Sequence, residues 1–368
     1  MKNNLTALLS QLISIPSWVD KQTNEAQIGI FICNFLTQNR QLKINKQSLG
    51  NGRYNLFASN SNQVDNLIVG HMDTVQPNSG WTREPTKPQV IGDKLYGLGS
   101  SDMKGGLAVI LKLATSPALI PNTGFLFYCD EEYDFLGMRE FIKEYSNKIA
   151  PKLIVSLDGE GPGIGNSCRG LIEMKVKVRG QAGHAANPKS GVNAITESFV
   201  VINQLKTWLK TFKSPELGVS TLNIARINGG SKQGNIIAET CEYIVEVRVA
   251  DNNLNAKKVK DFIVNQSLTR QLKVDDIIIR HDLGSWITPK RKLLDILNLA
   301  PSKNLKQAKK RGYLDVQMLW KSFKQPRIFT FGVGTKNMSH KADEYVQISN
   351  LQTAEKFMTG LLSNNGAC

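Results

Sequence analysis

The sequence has few cysteines, and none of them has the spacing of a structural or metal-binding site. Its five cysteines are odd in number and include no Cys-x-x-Cys pair: Cys33, Cys129, Cys168, Cys241 and Cys368. A disulfide framework and a thiolate zinc site are therefore not indicated. Because reduced thiols are typical of the cytoplasm, we expect a cytoplasmic protein.

Long apolar segments are also missing, since no window of the sequence is apolar enough to span a bilayer. The N-terminal apolar residues are interrupted by polar ones and fall at helical spacing: Leu5, Leu8, Leu9, Leu12 and Ile13. This spacing predicts an amphipathic first helix rather than a signal peptide. We therefore expect no membrane partner.

Acidic residues are fewer than basic ones, with 31 Asp and Glu against 46 Lys and Arg, so the net charge is +15. Such an excess raises the possibility of nucleic acid or a membrane surface as a partner. The basic residues are, however, spread along the chain and form only short clusters. This distribution favours a solvated basic surface, and we expect no nucleic-acid partner. An anionic substrate is a weaker inference from the same charge.

The length of 368 residues indicates two domains, one of them inserted in the other. Residues 1–168 and 282–368 alternate helices with apolar strands, which predicts an α/β catalytic domain with a mixed, largely parallel sheet and flanking helices. Residues 169–281 combine alternating strands with two helical segments. This pattern predicts an inserted α+β domain with an antiparallel sheet.

A short apolar run, Leu67 to Val69, stops at Gly70 and is followed by His71 and Asp73. Open α/β sheets bind ligands at the carboxyl ends of their strands, so this pair is a candidate site. The two side chains are one residue apart, and we interpret one as a direct ligand and the other as its support. Taken alone, the pair is more typical of a surface histidine beside a turn aspartate.

A second apolar strand, Gly124 to Cys129, leads directly into Asp130, Glu131 and Glu132. Three adjacent carboxylates repel one another unless a cation or a proton is supplied, which indicates a metal site. The alternative is the charged start of a helix over 133–145.

Two further carboxylates stand at comparable positions. The apolar strand Leu153 to Leu157 is followed by Asp158, with Glu160 in the same loop. Asp102 ends a glycine-rich segment just before the helical segment Leu107 to Ala114. A helix cap is the alternative role for Asp102.

Nitrogen and carboxylate ligands without cysteine suit zinc or a similar divalent ion in a catalytic site. The candidate residues are His71, Asp102, Glu131, Glu132, Asp158 and His340. They are too many for one open zinc site and suit two ions that share a bridging carboxylate.

Several segments resemble, in family order, the dinuclear zinc metallohydrolases that include acetylornithine deacetylase, succinyl-diaminopimelate desuccinylase and glutamate carboxypeptidase. The resemblance spans nearly the whole chain. The matching segments are Gly70-His-Met-Asp-Thr-Val, Tyr96-Gly-Leu-Gly-Ser-Ser-Asp-Met-Lys-Gly-Gly, Asp130-Glu-Glu, Leu157-Asp-Gly-Glu, Gly180-Gln-Ala-Gly-His-Ala, Gly234-Asn-Ile-Ile and Ser339-His-Lys-Ala-Asp-Glu-Tyr-Val.

The resemblance implies two Zn²⁺ ions, with Co²⁺ or Mn²⁺ able to substitute. His71 and Asp158 would hold one ion, Glu132 and His340 the other, and Asp102 would bridge them.

The resemblance also implies that Glu131 is the general base for a metal-activated water and that Asp73 orients His71. The family uses either Asp or Glu at the second ligand of the first ion. We prefer Asp158, because it lies directly at the strand end, to Glu160.

The inserted domain would serve as a lid and a homodimer interface. In dimeric relatives a residue matching His184 reaches the partner's active site and hydrogen-bonds the reacting carbonyl. Asn235 and Arg248 match substrate-carboxylate contacts, and Gly334 is a further candidate contact. Alternatively, Asn235 serves only a turn and Arg248 only pairs with a neighbouring acid.

The implied function is hydrolysis of an amide bond, with removal of an acyl group from an N-acyl amino acid as the preferred reaction. The alternatives are a carboxypeptidase or dipeptidase acting on short peptides, a succinyl-diaminopimelate desuccinylase-like enzyme, and a retired hydrolase fold that acts as a basic binding protein. Two departures from the family pattern bear on substrate specificity rather than on the chemistry. Val333 stands where relatives often have Pro, and Leu314, just before Asp315, stands where relatives have a small Ser or Thr.

Overall fold

The computed structural model describes residues 4–116, 119–300, 303, 314 and 316–364. Within these residues the chain forms two compact units. The first unit contains the described residues of Met1–Asn166, Thr288–Lys306 and Met318–Cys368, and the second contains those of Ser167–Ile287 and Gln307–Gln317. Asp315 lies outside the described residues.

The first unit is built on a mixed seven-stranded sheet. Across the sheet the strands are Lys43–Gly50, Arg53–Ser59, Thr123–Tyr128, Asn66–His71, Leu153–Ser156, Arg327–Gly332 and Gly163–Gly165. The strands from Thr123–Tyr128 to Arg327–Gly332 run parallel, and the remaining pairs are antiparallel. This arrangement confirms the predicted α/β fold with a mixed, largely parallel sheet.

Helices flank this sheet, and all of them except Leu136–Tyr145 share one hydrophobic core with it; Phe141 and Tyr145 of that helix pack on Phe57 of the sheet instead. The flanking helices are Leu5–Ile13, Ala26–Leu36, Gly105–Ala114, Leu136–Tyr145, Leu294–Leu299 and Ile348–Asn364. Further elements of the chain are the turn Ser100–Lys104, the 3₁₀ turn Lys290–Leu293, the helix Val316–Ser322 and a small sheet of Gln89–Ile91, Lys94–Tyr96 and Tyr345–Gln347.

The first helix has the amphipathic character that its sequence predicts. Its five apolar residues at helical spacing are all buried, and the side chain of Asn4 caps its first turn by accepting from the Thr6 N–H at 2.9 Å. No helix in the described part of the chain is both long and apolar enough to cross a bilayer.

Three neighbouring parallel strands end at the same edge of the sheet. His71 lies opposite Tyr128, and Val69 lies opposite Ser156, so the segments that follow these strands begin side by side. Gly70 allows a close approach here, since a Cβ would lie 2.8 Å from Cε of Met103. The edge of the sheet therefore gathers the predicted ligand residues.

The second unit is an α+β fold with a four-stranded antiparallel sheet in the order Thr221–Gly230, Thr240–Val249, Gly170–Arg179 and Lys273–Leu283. Residues of Thr240–Val249 alternate between buried and half-buried, as expected for a strand with one covered face. The helices Ala194–Leu209 and Ala256–Thr269 pack on this sheet through a separate hydrophobic core. The remaining elements are Ser167–Cys168 paired with Trp286–Ile287, Lys213–Ser214 paired with Gly218–Val219, and the 3₁₀ turn Pro188–Ser190.

Candidate active site

Six histidine and carboxylate side chains converge at the sheet edge of the first unit. In each of three overlapping groups, the potential ligand atoms lie within 4.8 Å of one another. The groups are His71 with Asp102 and Asp158, His71 with Glu131 and Glu132, and Asp102 with Glu132 and His340. These are the six residues that the sequence placed at strand ends and loop ends.

His71 is held in one orientation by hydrogen bonds on both ring nitrogens. Its side chain is 1% exposed, Nδ1 lies 3.0 Å from the carbonyl oxygen of Asp73, and Nε2 lies 3.3 Å from Oδ1 of Asp102. Burial lowers the pKa of His71, but the carboxylates of Asp102 and Asp73 raise it well above its usual value. A proton on Nδ1 donates to the Asp73 carbonyl, and loss of the Nε2 proton would free the Nε2 lone pair for a ligand.

The Asp73 carboxylate has a different main contact from the one predicted. Its oxygens accept from the backbone N–H groups of Glu131 at 3.1 Å and Glu132 at 2.9 Å. Its nearest approach to the imidazole of His71 is 3.6 Å, longer than the bond from the Asp73 carbonyl. Asp73 thus supports His71 through its main chain and the Glu131–Glu132 turn through its side chain.

Asp102 stands between the two imidazoles. Its Oδ1 faces His71, and its Oδ2 lies 3.5 Å from Nε2 of His340, which is also 2.9 Å from Oε1 of Glu132. Burial raises the pKa of Asp102, but the two histidines hold it well below its usual range. Hydrogen bonds to Asp102 and Glu132 raise the pKa of His340 to about 10.

Asp102 does not act as a helix cap. The helix Gly105–Ala114 has Lys104 at its N-cap position, with no side-chain capping bond. The half-buried Asp102 side chain is directed to the histidines instead.

Asp158 and Glu160 occupy different surroundings. Asp158 is 7% exposed and lies in the ligand group with His71. Burial and the charge of Asp102 raise the pKa of Asp158 to about 7. Glu160 is exposed, and its Oε1 accepts from the backbone N–H of Asn337 at 2.6 Å. Of these two residues, it is therefore Asp158 whose carboxylate lies among the candidate metal ligands.

Asp130, the first of the three adjacent carboxylates, has a cation of its own in Arg53 and lies outside the ligand groups of the described residues. The Arg53 guanidinium contacts both Asp130 and Glu25, and the Glu25 carboxylate also accepts from the Asp130 backbone N–H at 3.1 Å. Oδ2 of Asp130 accepts from the N–H groups of Asp134 and Leu136, so it closes the turn that carries the two glutamates. Sequence reasoning missed Arg53, because no local pattern ties it to this turn.

The distances between potential ligand atoms fit a bound divalent ion. Two ligands of a tetrahedral zinc ion at about 2.0–2.1 Å lie about 3.3 Å apart. The Asp102 oxygens lie 3.3 Å from Nε2 of His71 and 3.5 Å from Nε2 of His340. Nitrogen and carboxylate donors at this spacing, on both sides of one carboxylate, suit a pair of ions.

Two predicted residues of the second unit are neighbours. His184 is exposed, and the main chain beside it bonds to the loop of Asn235, whose carbonyl accepts from the Ala185 N–H at 2.9 Å. Nδ1 of His184 accepts from the Ala186 N–H at 3.1 Å. A neutral ring with an acceptor at Nδ1 carries its proton on Nε2, so Nε2 is a hydrogen-bond donor.

Arg248 lies on the strand Thr240–Val249, where its Nε donates to Oε1 of Glu246 at 2.9 Å. This is the pairing with a neighbouring acid that the sequence left open. Gly334 belongs to the first unit, where its N–H donates to the Gly159 carbonyl and a Cβ would lie 2.6 Å from the Ser101 carbonyl. Val333 beside it is buried.

Comparison with known proteins identifies the family. The profile described as peptidase family M20/M25/M40 matches residues 67–364, and the chain belongs to this family. The acetylornithine deacetylase of Buchnera aphidicola subsp. Schizaphis graminum is 28% identical over 360 residues, which cover 93% of this chain and 92% of that protein. The acetylornithine deacetylase of Buchnera aphidicola subsp. Acyrthosiphon pisum (strain 5A) is 33% identical over 62% of this chain and 61% of that protein.

Solved structures share the fold. A tripeptidase from Staphylococcus aureus superposes with a TM-score of 0.77 at 20% identity and covers 100% of this chain and 99% of its own. The Bacillus subtilis YXEP protein, described as a dinuclear metal binding peptidase, has a TM-score of 0.70 at 14% identity, with 98% and 96% covered. Family and relatives together define a metal-dependent hydrolase.

Proposed function

We propose that the protein is a deacylase that hydrolyses the amide bond of an N-acyl amino acid, with N-acetylornithine as the first candidate substrate. The observation that carries the proposal is Asp102 standing between His71 and His340, with Glu131, Glu132 and Asp158 around them. The names of the two Buchnera relatives support the acetyl group and ornithine.

We assign two Zn²⁺ ions to this cluster. His71 and Asp158 would hold one ion, Glu132 and His340 would hold the other, and Asp102 would contribute to both. When bound, the ions lower the pKa of water and stabilise negative charge on a carbonyl oxygen. Buried negative charges are unfavourable unless they are paired with positive ones. The carboxylates of this site therefore favour the binding of cations.

Glu131 is the proposed general base. The Asp73 carboxylate holds the backbone of Glu131 and of the ligand Glu132, so two adjacent side chains are supplied to one cluster. Glu131 would accept the proton of the attacking water and then deliver it to the leaving amine nitrogen.

His184 is the proposed donor to the substrate carbonyl, supplied by the partner subunit of a homodimer that pairs through the second unit. Its exposed ring and its donor at Nε2 support this role. Asn235 beside it is a proposed contact for the substrate carboxylate. Arg248 and Gly334 are weaker candidates, since the Arg248 side chain already binds Glu246. The cytoplasmic location stays a prediction.

The decisive experiment is hydrolysis by zinc-loaded protein. Release of free amine would be measured with N-acetylornithine, other N-acetyl and N-succinyl amino acids, and a dipeptide panel, before and after a chelator and after zinc is restored. Deacylation that is lost with the chelator and regained with zinc supports the proposal.

Two results would change the assignment. Cleavage of dipeptides with no deacylation would identify a peptidase built on the same site. A folded, zinc-loaded protein that hydrolyses neither substrate class would overturn the proposal.

A further inference from the structure

Glu344 has a buried carboxylate that the proposed function does not use. It is 1% exposed, and its two oxygens accept three backbone N–H groups of one loop. Oε2 accepts from Gly99 at 2.8 Å, and Oε1 accepts from Ser101 at 2.7 Å and from Asp102 at 3.0 Å. Burial raises the pKa of the Glu344 carboxyl, and the three N–H donors oppose that rise because they favour its charged form.

These bonds join two segments that both carry candidate ligands. Glu344 lies shortly after His340, and its own carbonyl accepts from the Gly97 N–H at 2.9 Å. The next carbonyl, of Tyr345, accepts from the Ser101 hydroxyl at 2.7 Å. The loop before Asp102 is thus fastened to the segment after His340 by one side chain and by main-chain groups.

We propose that Glu344 is a positioning residue for metal binding. It holds the backbone of Asp102, and with it the side chain that stands between His71 and His340. The inference rests on the proposed function, in which Asp102 is the shared ligand. Residues that orient ligands in this way change metal affinity about 10–100-fold when they are mutated.

A glutamine at position 344 could not accept all three backbone N–H groups. Its amide offers one acceptor oxygen, and its NH₂ group would face an N–H of the loop, either that of Gly99 or those of Ser101 and Asp102. Two donors facing each other in a buried site repel, so the loop would shift. Glu344→Gln therefore removes the clamp while it keeps the side-chain volume.

The test measures metal binding directly. Apo wild type, Glu344→Gln and a control variant, Asp93→Asn, would be titrated with Zn²⁺ against a chromophoric chelator, and their Co²⁺ forms compared by visible absorption. Asp93 is a matched control, because its carboxylate also accepts a backbone N–H, from Ser349 at 3.0 Å, but lies outside the ligand cluster.

We expect Glu344→Gln to bind Zn²⁺ about 10–100-fold more weakly and to change the Co²⁺ spectrum. We expect Asp93→Asn to match wild type in both. Equal zinc affinity and spectra for Glu344→Gln and wild type would overturn the proposal, and so would an equal loss in both variants. Circular dichroism of each apo protein establishes that it is folded.

If Glu344→Gln does not fold, Glu344→Asp takes its place, since it keeps the charge but is shorter by one methylene. A folded Glu344→Asp with weakened zinc binding supports the clamp, and wild-type affinity overturns it. Zinc titration also tests the role of Glu344 separately from the proposed hydrolysis of an amide bond. A protein that binds zinc and hydrolyses no amide refutes the function alone, whereas a wild type that binds no zinc refutes both.

Discussion

Glu132 donates its backbone N–H to Oδ2 of Asp73 across 2.9 Å. The bond joins the turns that follow two neighbouring parallel strands, Asn66–His71 and Thr123–Tyr128. Since Asp73 also binds the imidazole of His71 through its carbonyl, one residue positions groups from both turns.

Asp73→Asn should weaken zinc binding about 10–100-fold and lower kcat. An asparagine has one acceptor oxygen, so its NH₂ group would oppose the N–H of either Glu131 or Glu132. The measurements are zinc titration and steady-state kinetics. Asp20→Asn is the control, because Asp20 also accepts two backbone N–H groups, in an exposed turn. Wild-type values for Asp73→Asn would contradict the role of this carboxylate.

Glu131→Gln should keep both metals and lose about 10²–10⁴-fold in kcat, because the amide cannot accept the proton of water. Metal content by elemental analysis and kcat on the best substrate are measured together. A variant with normal metal content and normal kcat would exclude Glu131 as the base.

Asp158→Asn should lose metal, whereas Glu160→Gln should retain the metal content and kcat of wild type. Asp158 is buried among the ligands, while Glu160 is exposed and accepts from the Asn337 N–H. Elemental analysis of the two purified variants decides between them. The reverse result would transfer the ligand role to Glu160.

His184→Ala should lower kcat without a loss of metal, because the proposed role of this side chain is to donate to the substrate carbonyl and not to bind an ion. If the donor acts across a dimer, mixing His184→Ala with Glu131→Gln subunits should restore part of the activity. The mixed dimer contains one site with both native residues. A verified heterodimer with no recovered activity would argue against a shared site.

Arg53→Met should lower the free energy of unfolding by about 3–5 kcal/mol, as expected when a buried ion pair loses one partner. Glu25 and Asp130 are 1% and 5% exposed and would be left without their cation. Denaturant unfolding of the apo protein measures the effect. The double variant with Glu25→Gln should recover part of the loss, and an unchanged midpoint for Arg53→Met would refute the prediction.

Much of the fold could be predicted from local patterns. The helical spacing of Leu5 to Ile13 and the apolar strands that end near His71, Asp130 and Asp158 all have counterparts in the structure. Strand ends were less predictable, since His71 is the last residue of its strand and not the first of the following loop. The terminal residues of a strand depend on its neighbours, which a local pattern does not contain.

The sequence by itself determined the element types, the α/β class and the set of nitrogen and carboxylate side chains, because these follow from periodicity and residue chemistry. Only the tertiary structure decided the partners. Glu344 bonds the Asp102 N–H from 242 residues away, and Arg53 contacts Asp130 from 77 residues away. No periodicity records such distant pairs, because they form only when the folded sheet brings the segments together.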